Sequence, residues 1–197
     1  MISKQAPPSV TGGGILVLVG VLRVTGMEPD REKHLRKLLL LIAAMTLANS
    51  AVAEILDPVP AKVCSLLSDA GLKGRKWVED YGDGSAGCAS DYKDIGTSND
   101  LANNLAYYVT GVSQYVMEVK LVLNYNQPRQ SSKATAALLT ASKKLSERAL
   151  GAGLPESVVT LIKRGEHGSA KVGSGVVEVV REDWPTGKGY EVHVMMR

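Results

Sequence analysis

The two histidines in the C-terminal part of the sequence, His167 and His193, are the side chains best suited to acid–base chemistry. A hydrolase with a serine nucleophile would need one of them as its general base. His167 lies in a short Gly-Glu-His-Gly segment that is typical of an exposed loop, and His193 follows Glu191 by two residues in a predicted strand. The sequence has no G-x-S-x-G turn, which α/β-hydrolases use to expose their serine. We therefore interpret both histidines as surface residues, and a small hydrolase that uses His193 or His167 is the alternative.

Patterns for metal or phosphate binding are incomplete in this sequence. Glu79, Asp80 and Asp83 crowd one glycine-rich segment, but the third position counted from Asp80 is a glycine, where an EF-hand loop needs an oxygen ligand. A structural zinc site would need a cluster of cysteines and histidines. The glycines at 173–175 and 187–189 lack the spacing of a phosphate-binding loop. The sequence therefore predicts no catalytic residue, no metal and no cofactor.

Two cysteines, Cys64 and Cys88, are the only ones in the chain. They lack C-x-x-C spacing and have no neighbouring histidine, so a redox or metal pair is the weaker interpretation. An even number of cysteines in an exported protein predicts a disulfide. Closing a loop of this length contributes about 3 kcal/mol in the chain-entropy model.

Residues 27–53 have the three parts of a secretory signal peptide. A basic segment at 31–37 precedes an apolar run at 38–48, and small residues follow up to Ala53. The apolar run is shorter than the roughly 20 residues that span a bilayer. We therefore expect cleavage after Ala53, a periplasmic or secreted protein, and membrane contact only in transit. Residues 1–26 are interpreted as a misassigned or disordered extension, with Met27 as the better start.

Residues 54–197 are then expected to form a single mature domain. This part contains 17 Lys and Arg and 17 Asp and Glu, so its formal net charge is zero. Proteins that bind nucleic acid usually show a basic patch with interleaved aromatic residues, and none is visible here. The charge pattern therefore argues against a nucleic-acid partner.

Hydrophobic periodicity predicts an alternation of strands and helices in this domain. Residues 115–125 alternate with a period of two, which indicates a strand covered on one face. The predicted apolar face consists of Tyr115, Met117, Val119, Leu121, Leu123 and Tyr125. The period changes to that of a helix over 131–150. The predicted elements are a helix at 58–71, a short strand at 88–92, a loop at 97–104, strands at 105–112 and 114–125 with a turn at 111–113, a helix at 131–150, a short helix from Pro155 to Gly165, a strand at 171–182 with a bulge at 173–175, and a strand at 189–196.

The predicted fold class is α+β: a two-layer sandwich in which a mainly antiparallel sheet of four to five strands is covered on one face by two to three helices. This order of elements resembles the type III secretion chaperone-like fold, in which a mixed or antiparallel sheet packs against two or three helices. The overall pattern is similar to that of small bacterial periplasmic protein families. The resemblance implies a fold and carries no site residue.

The leading functional hypothesis is an exported, non-enzymatic protein that binds another protein or supports an envelope assembly. The alternatives are the small hydrolase described above and a protein that binds a small apolar ligand between its helices and its sheet. That last hypothesis predicts a pocket of several hundred Å³.

Overall fold

The computed structural model describes residues 54–96 and 101–197, and these residues form an α+β fold. The predicted extension at 1–26 and the predicted signal peptide at 27–53 lie outside the described residues. The predicted loop at 97–104 lies partly outside them as well. Its last two residues, Asn103 and Asn104, belong to a strand.

The described strands form one antiparallel sheet with the order β1-β3-β4-β7-β6-β5, and β2 pairs with β3 beside β1. Two of the strands, β3 and β4, are long and form the first hairpin. The last strand in chain order, β7, lies between β4 and β6. The strands are β1 (Ala86–Ala89), β2 (Lys93–Ile95), β3 (Asn103–Val112), β4 (Tyr115–Tyr125), β5 (Gly168–Val172), β6 (Gly175–Asp183) and β7 (Tyr190–Met196).

Three α-helices of the described part of the chain lie against one face of this sheet. They are α1 (Pro60–Val63), α2 (Ser131–Leu150) and α3 (Glu156–Arg164), with 3₁₀ turns at Ser68–Ala70 and Pro128–Gln130. The apolar stripe of α2 is fully buried against β3, β4 and β7, and α3 packs on β5 and β6. The core-facing positions of β4, β6 and β7 alternate with more exposed ones, which is the pattern of a sheet covered by helices on one side.

The helix predicted at 58–71 is much shorter in the structure. Only Pro60–Val63 is α-helical, and a 3₁₀ turn at Ser68–Ala70 follows. The hydroxyls of Ser65 and Ser68 donate to backbone carbonyls three residues earlier, at 2.8 and 2.7 Å. Serine side chains that bond to nearby backbone groups compete with regular helix formation, so the apolar spacing alone overestimated the helix.

Seven strands form within residues 54–96 and 101–197, where four to five were predicted, because two regions differ from the predicted pattern. Residues 173–175 are not a bulge within one strand: β5 and β6 form a hairpin that turns at Gly173 and Ser174. Gly173 has a φ of +53°, and a Cβ there would lie 1.9 Å from the Leu150 carbonyl oxygen. The turn is thus pressed against the end of α2, where only glycine fits. The three-residue strand β2 carries too short a pattern to be predicted.

A β-bulge at Met117 reverses the alternation at the start of β4. Thr110 pairs with Glu118 and Gly111 pairs with Val116, which leaves Met117 as an extra residue. Val116 is therefore buried, and Tyr115 and Met117, which were predicted on the core face, are exposed. Residues Val119, Leu121, Leu123 and Tyr125 keep the predicted buried face.

Asp69 connects the 3₁₀ turn after α1 to the end of α2. Arg148 donates to both of its carboxylate oxygens, at 2.7 and 2.9 Å, and Lys144 donates at 3.0 Å. These hydrogen bonds hold the pKa of Asp69 well below its ordinary value of 3.8.

Replacing Asp69 by Asn is expected to make the melting temperature less sensitive to acid. A carboxyl group whose pKa is lower in the folded state stabilises the fold above the pKa of the unfolded chain, and this contribution is lost as the pH falls through and below about 4. Melting curves between pH 7 and pH 2 should show a small deficit for D69N at pH 7 that disappears at the acid end. A constant deficit at every pH would contradict the ion-pair explanation.

Candidate functional site

A disulfide joins Cys64, directly after α1, to Cys88 in β1, as the sequence predicted. The two Cα atoms are 6.2 Å apart and both side chains are buried. Gly74 packs directly on this bond, because a Cβ at that position would lie 2.8 Å from the Cys64 carbonyl oxygen and 2.9 Å from the Cys88 Sγ. The disulfide therefore fixes the distance between α1, β1 and the segment that carries Gly74.

A cavity of about 820 Å³ lies beside this disulfide, between α1 and the segment 73–79. We call it the disulfide groove. It contains apolar surface from α1 and the ring of Trp77, together with several charged side chains. Its lining is Val59, Pro60, Ala61, Cys64, Ser65, Lys73, Gly74, Arg75, Lys76, Trp77, Glu79, Asp91 and Gln114.

One wall of the disulfide groove is an extended segment at the edge of the sheet. Gly74 and Val78 pair with the region of β1 through isolated bridges, and Arg75 donates its N–H to the Ala89 carbonyl at 2.9 Å. Within the described part of the chain, the backbone N–H groups of Lys76 and Trp77 have no hydrogen-bond acceptor. Unpaired donors at a sheet edge are the groups that an additional extended strand can bind.

Trp77 is held in place by the hairpin that joins β3 to β4. Its indole N–H donates to the backbone carbonyl of Ser113 at 2.8 Å. Ser113 lies in the tight turn of that hairpin and has a φ of +51°. The groove therefore has a fixed aromatic wall.

The charges of the disulfide groove leave an excess of positive charge. Three basic side chains line it against two carboxylates, which gives a formal net charge of +1. Arg75 forms an ion pair with Asp91, and Glu79 accepts a hydrogen bond from Gln114 at 2.9 Å and keeps its negative charge. Lys73 and Lys76 are exposed, and neither forms a salt bridge with another described residue. The groove is therefore suited to a ligand that carries negative charge.

A second group of functional side chains lies on the opposite face of the sheet, which no described helix covers. Glu182 and Glu191 are directly paired across β6 and β7, and His193 lies two residues further along β7 on the same face. The His193 Nε2 is 2.8 Å from the Glu191 Oε2, and its Nδ1 is 3.9 Å from the Glu182 Oε1. We call these three residues the Glu–His cluster.

His193 is far less exposed than the surface residue predicted from sequence. Its side chain is 13% exposed, because Val122 and Val180 flank it on the neighbouring strands. The carboxylate partner that a general base requires is present at hydrogen-bond distance. The residues that face His193 across both strands are valines, and none of the cavities found among the described residues includes it. The arrangement supplies an oriented imidazole, and no serine hydroxyl of the described residues forms a hydrogen bond with it.

Two other candidates from the sequence are His167 and the acidic loop at 79–85. Among the described residues, neither has surroundings comparable to those of the Glu–His cluster. His167 is exposed in the loop before β5, as predicted. The Asp80 carboxylate accepts hydrogen bonds from the backbone of Gly82 and Gly84, and Asp83 accepts from Ser85 at 2.6 Å. The bonds from Ser85 lower the pKa of Asp83. These carboxylates therefore stabilise the loop itself.

A smaller cleft lies where α2 meets the edge of the sheet. Its volume is about 360 Å³, and its walls are largely apolar. The cleft lies in the position that an apolar ligand between helices and sheet would take. Its lining is Ala70, Leu72, Lys93, Ile95, Leu105, Ala136, Ala137, Thr140, Ala141 and Lys144.

Comparisons of the chain with protein-family models, with curated proteins and with solved structures found no match. The resemblance to the type III secretion chaperone-like fold therefore stays a prediction. Among the described residues, no helix is both long and apolar enough to cross a membrane.

The sequence contains one local signal for the disulfide groove. Residues 73–77 read Lys-Gly-Arg-Lys-Trp, which combines three basic side chains with an aromatic ring. The zero net charge of residues 54–197 concealed this short segment, and the expectation that no basic patch is present overlooked it. The Glu–His cluster has no such signal, because Glu182 comes from a different strand. Its position opposite Glu191 follows from the register of β6 on β7 and from no local pattern.

Proposed function

We propose that this protein is an exported, non-enzymatic binding protein that takes up an extended, acidic segment of another protein in the disulfide groove. The observation that carries the proposal is the groove itself, in which two lysines without an ion-pair partner among the described residues lie beside unpaired backbone donors. An added strand would satisfy one of the unpaired N–H groups of Lys76 and Trp77, because successive N–H groups of an extended segment point to opposite edges. Acidic side chains of that strand would approach Lys73 and Lys76.

The buried disulfide supports the exported part of the proposal, since disulfides persist in oxidising compartments. It also keeps the groove rigid, because Cys64 and Gly74 both line it. A rigid groove loses little conformational entropy on binding, which favours affinity for a flexible segment. The two-layer sandwich supplies the framework that holds the disulfide and the groove.

A photo-crosslinking residue at position 76 is expected to capture a specific partner in cells, and one at position 143 is not. Lys143 is the matched control because it is an exposed lysine on α2, remote in sequence from the groove. The charge reversal K73E should remove the adduct at position 76, because it places a negative charge beside the acidic ligand. The reversal K143E should leave the adduct intact.

Adducts that persist in K73E would contradict the proposed charge recognition. Adducts of equal yield from positions 76 and 143 would contradict the groove as the binding site. Peptide mapping of the captured protein provides a further check, since the crosslinked segment should be rich in Asp and Glu.

The cleft between α2 and the sheet edge favours a second function, the binding of a small apolar ligand. A volume of about 360 Å³ with mostly apolar walls is within the range of ligand pockets. An apolar fluorescent probe that binds the wild-type protein should lose affinity when Ala137 is replaced by Phe, which would occupy the cleft. Unchanged probe binding in A137F would exclude this site.

A further inference from the structure

We infer that the Glu–His cluster is a binding site for a divalent transition metal ion, with Zn²⁺ as the reference ion. The inference is independent of the proposed function, since the cluster lies on the opposite side of the sheet from the helices and shares no residue with the disulfide groove. The three ligands would be one imidazole nitrogen of His193 and one carboxylate oxygen from each of Glu182 and Glu191.

The backbone places these ligands at distances suited to a single ion. One ligand atom from each residue lies within 4.8 Å of the other two. Ligands of a tetrahedral zinc ion, each about 2.0–2.2 Å from the metal, are separated by about 3.3 Å. The His193 Nε2 lies 2.8 Å from Glu191 and its Nδ1 lies 3.9 Å from Glu182, so an ion bound by one of these nitrogens requires the carboxylate beside the other nitrogen to turn toward it. The Glu182 side chain is 59% exposed and can rotate to complete the site.

The electrostatics of this face also favour a cation. Glu182 and Glu191 are a directly opposed pair in an antiparallel ladder, and like charges in that position destabilise a sheet. Burial raises the pKa of the nearby Tyr108, as does its hydrogen bond to Tyr92, and the negative charge of Glu191 adds to the effect. A divalent ion would neutralise the negative charges of both carboxylates.

Neighbouring side chains orient the ligands. The indole N–H of Trp184 donates to the Oε1 of Glu191 at 3.3 Å, which leaves the Oε2 directed at His193. Val122 and Val180 confine the imidazole from both sides. Such outer contacts typically change metal affinity by about 10–100-fold. The exposed side of Glu182 provides an entry path and space for a water ligand.

The combination of one nitrogen and two oxygens selects the class of metal. Imidazole suits Zn²⁺ and the neighbouring transition ions, whereas Ca²⁺ is bound by oxygen ligands alone. Zinc sites with three protein ligands leave the fourth coordination position open, and a water molecule binds there. We therefore expect Zn²⁺ to bind much more tightly than Ca²⁺.

Titration calorimetry of the purified, metal-stripped protein with Zn²⁺ tests the site. We expect a single ion per chain, and we expect E182Q and H193Q each to weaken Zn²⁺ binding by at least about 10-fold. The matched controls are H167Q, which removes the exposed histidine, and E178Q, which changes another glutamate of β6 that faces the same side. Both controls should bind Zn²⁺ like the wild-type protein.

Circular dichroism checks that each variant is folded. If H193Q is unstable, E182Q still tests the site, because it changes an exposed side chain. Substitution with Co²⁺ gives a second measurement, since its visible absorption reports coordination by nitrogen and oxygen. Loss of Zn²⁺ binding in H167Q, retention in E182Q and H193Q, absence of binding in the wild-type protein, or equal affinity for Ca²⁺ would each overturn the inference.

Discussion

Reduction of the Cys64–Cys88 disulfide is expected to lower the free energy of unfolding by about 3 kcal/mol, within a range of about 2–4. The cysteines are separated by 24 residues in sequence, and breaking the bond releases that loop in the unfolded chain. Urea unfolding with and without reductant measures the difference. Binding at the Glu–His cluster should be unaffected, because the two sites share no residue.

A double variant, C64A with C88A, is the control for this prediction. It should have the lower stability from the start, and adding reductant should not change it further. Two thiols that react with a label in the unreduced protein would contradict both the disulfide and the argument for export.

Replacing Tyr107 by Ala is expected to cost about 4 kcal/mol of stability, because it removes a large aromatic ring from the core. The side chain is fully buried at the centre of β3, and its hydroxyl donates to the Val63 carbonyl of α1 at 2.9 Å. Its burial raises the pKa of the phenol. The truncation would leave a cavity between α1 and the sheet, and the Val63 carbonyl would keep only the hydrogen bond from the Leu66 N–H at 3.1 Å.

The variant Y107F separates packing from hydrogen bonding at this position. It keeps the ring and removes only the hydroxyl, so a loss of about 1 kcal/mol is expected. Urea unfolding of both variants gives the comparison. A loss in Y107F as large as that in Y107A would show that the hydrogen bond, and not the buried ring, holds α1 to the sheet.

Elements with a long, regular pattern were predicted well from the sequence. The helix at 131–150 occurs with the predicted bounds, because its apolar stripe runs without interruption to Gly151. The strand predicted at 189–196 is observed at Tyr190–Met196 for a similar reason, a period of two over its whole length. In both cases the burial in the fold agrees with the local pattern.

Elements that depend on tertiary contacts were not predictable in the same way. The helix expected at 58–71 ends early, where the Cys64 carbonyl accepts the N–H of Gly74 at 2.7 Å in place of a helical partner. The turn at Gly173 depends on the end of α2, which is distant in sequence. Contacts between segments contributed to both outcomes, and the hydrogen bonds of the Ser65 and Ser68 hydroxyls also helped to end the helix. Hydrophobic periodicity reports neither kind of interaction.

The candidate sites were even less accessible to sequence reasoning. The disulfide groove combines residues from 59–65, 73–79 and two further loops, which the disulfide and hydrogen bonds between distant segments hold together. The Glu–His cluster needs the register of two strands, and a shift of one residue would turn Glu182 to the other face. A pattern of charges along one segment cannot contain this information.

The position of β7 has a consequence for when the protein can fold. This strand is the last of the seven in chain order, yet it lies between β4 and β6. Until it is synthesised, the β3–β4 and β5–β6 hairpins have no common partner, and the sheet is two separate ribbons with open edges. Pairings between positions distant in sequence also form slowly. We therefore expect the nascent chain to stay unfolded until its synthesis is nearly complete. An unfolded chain suits the export that we propose.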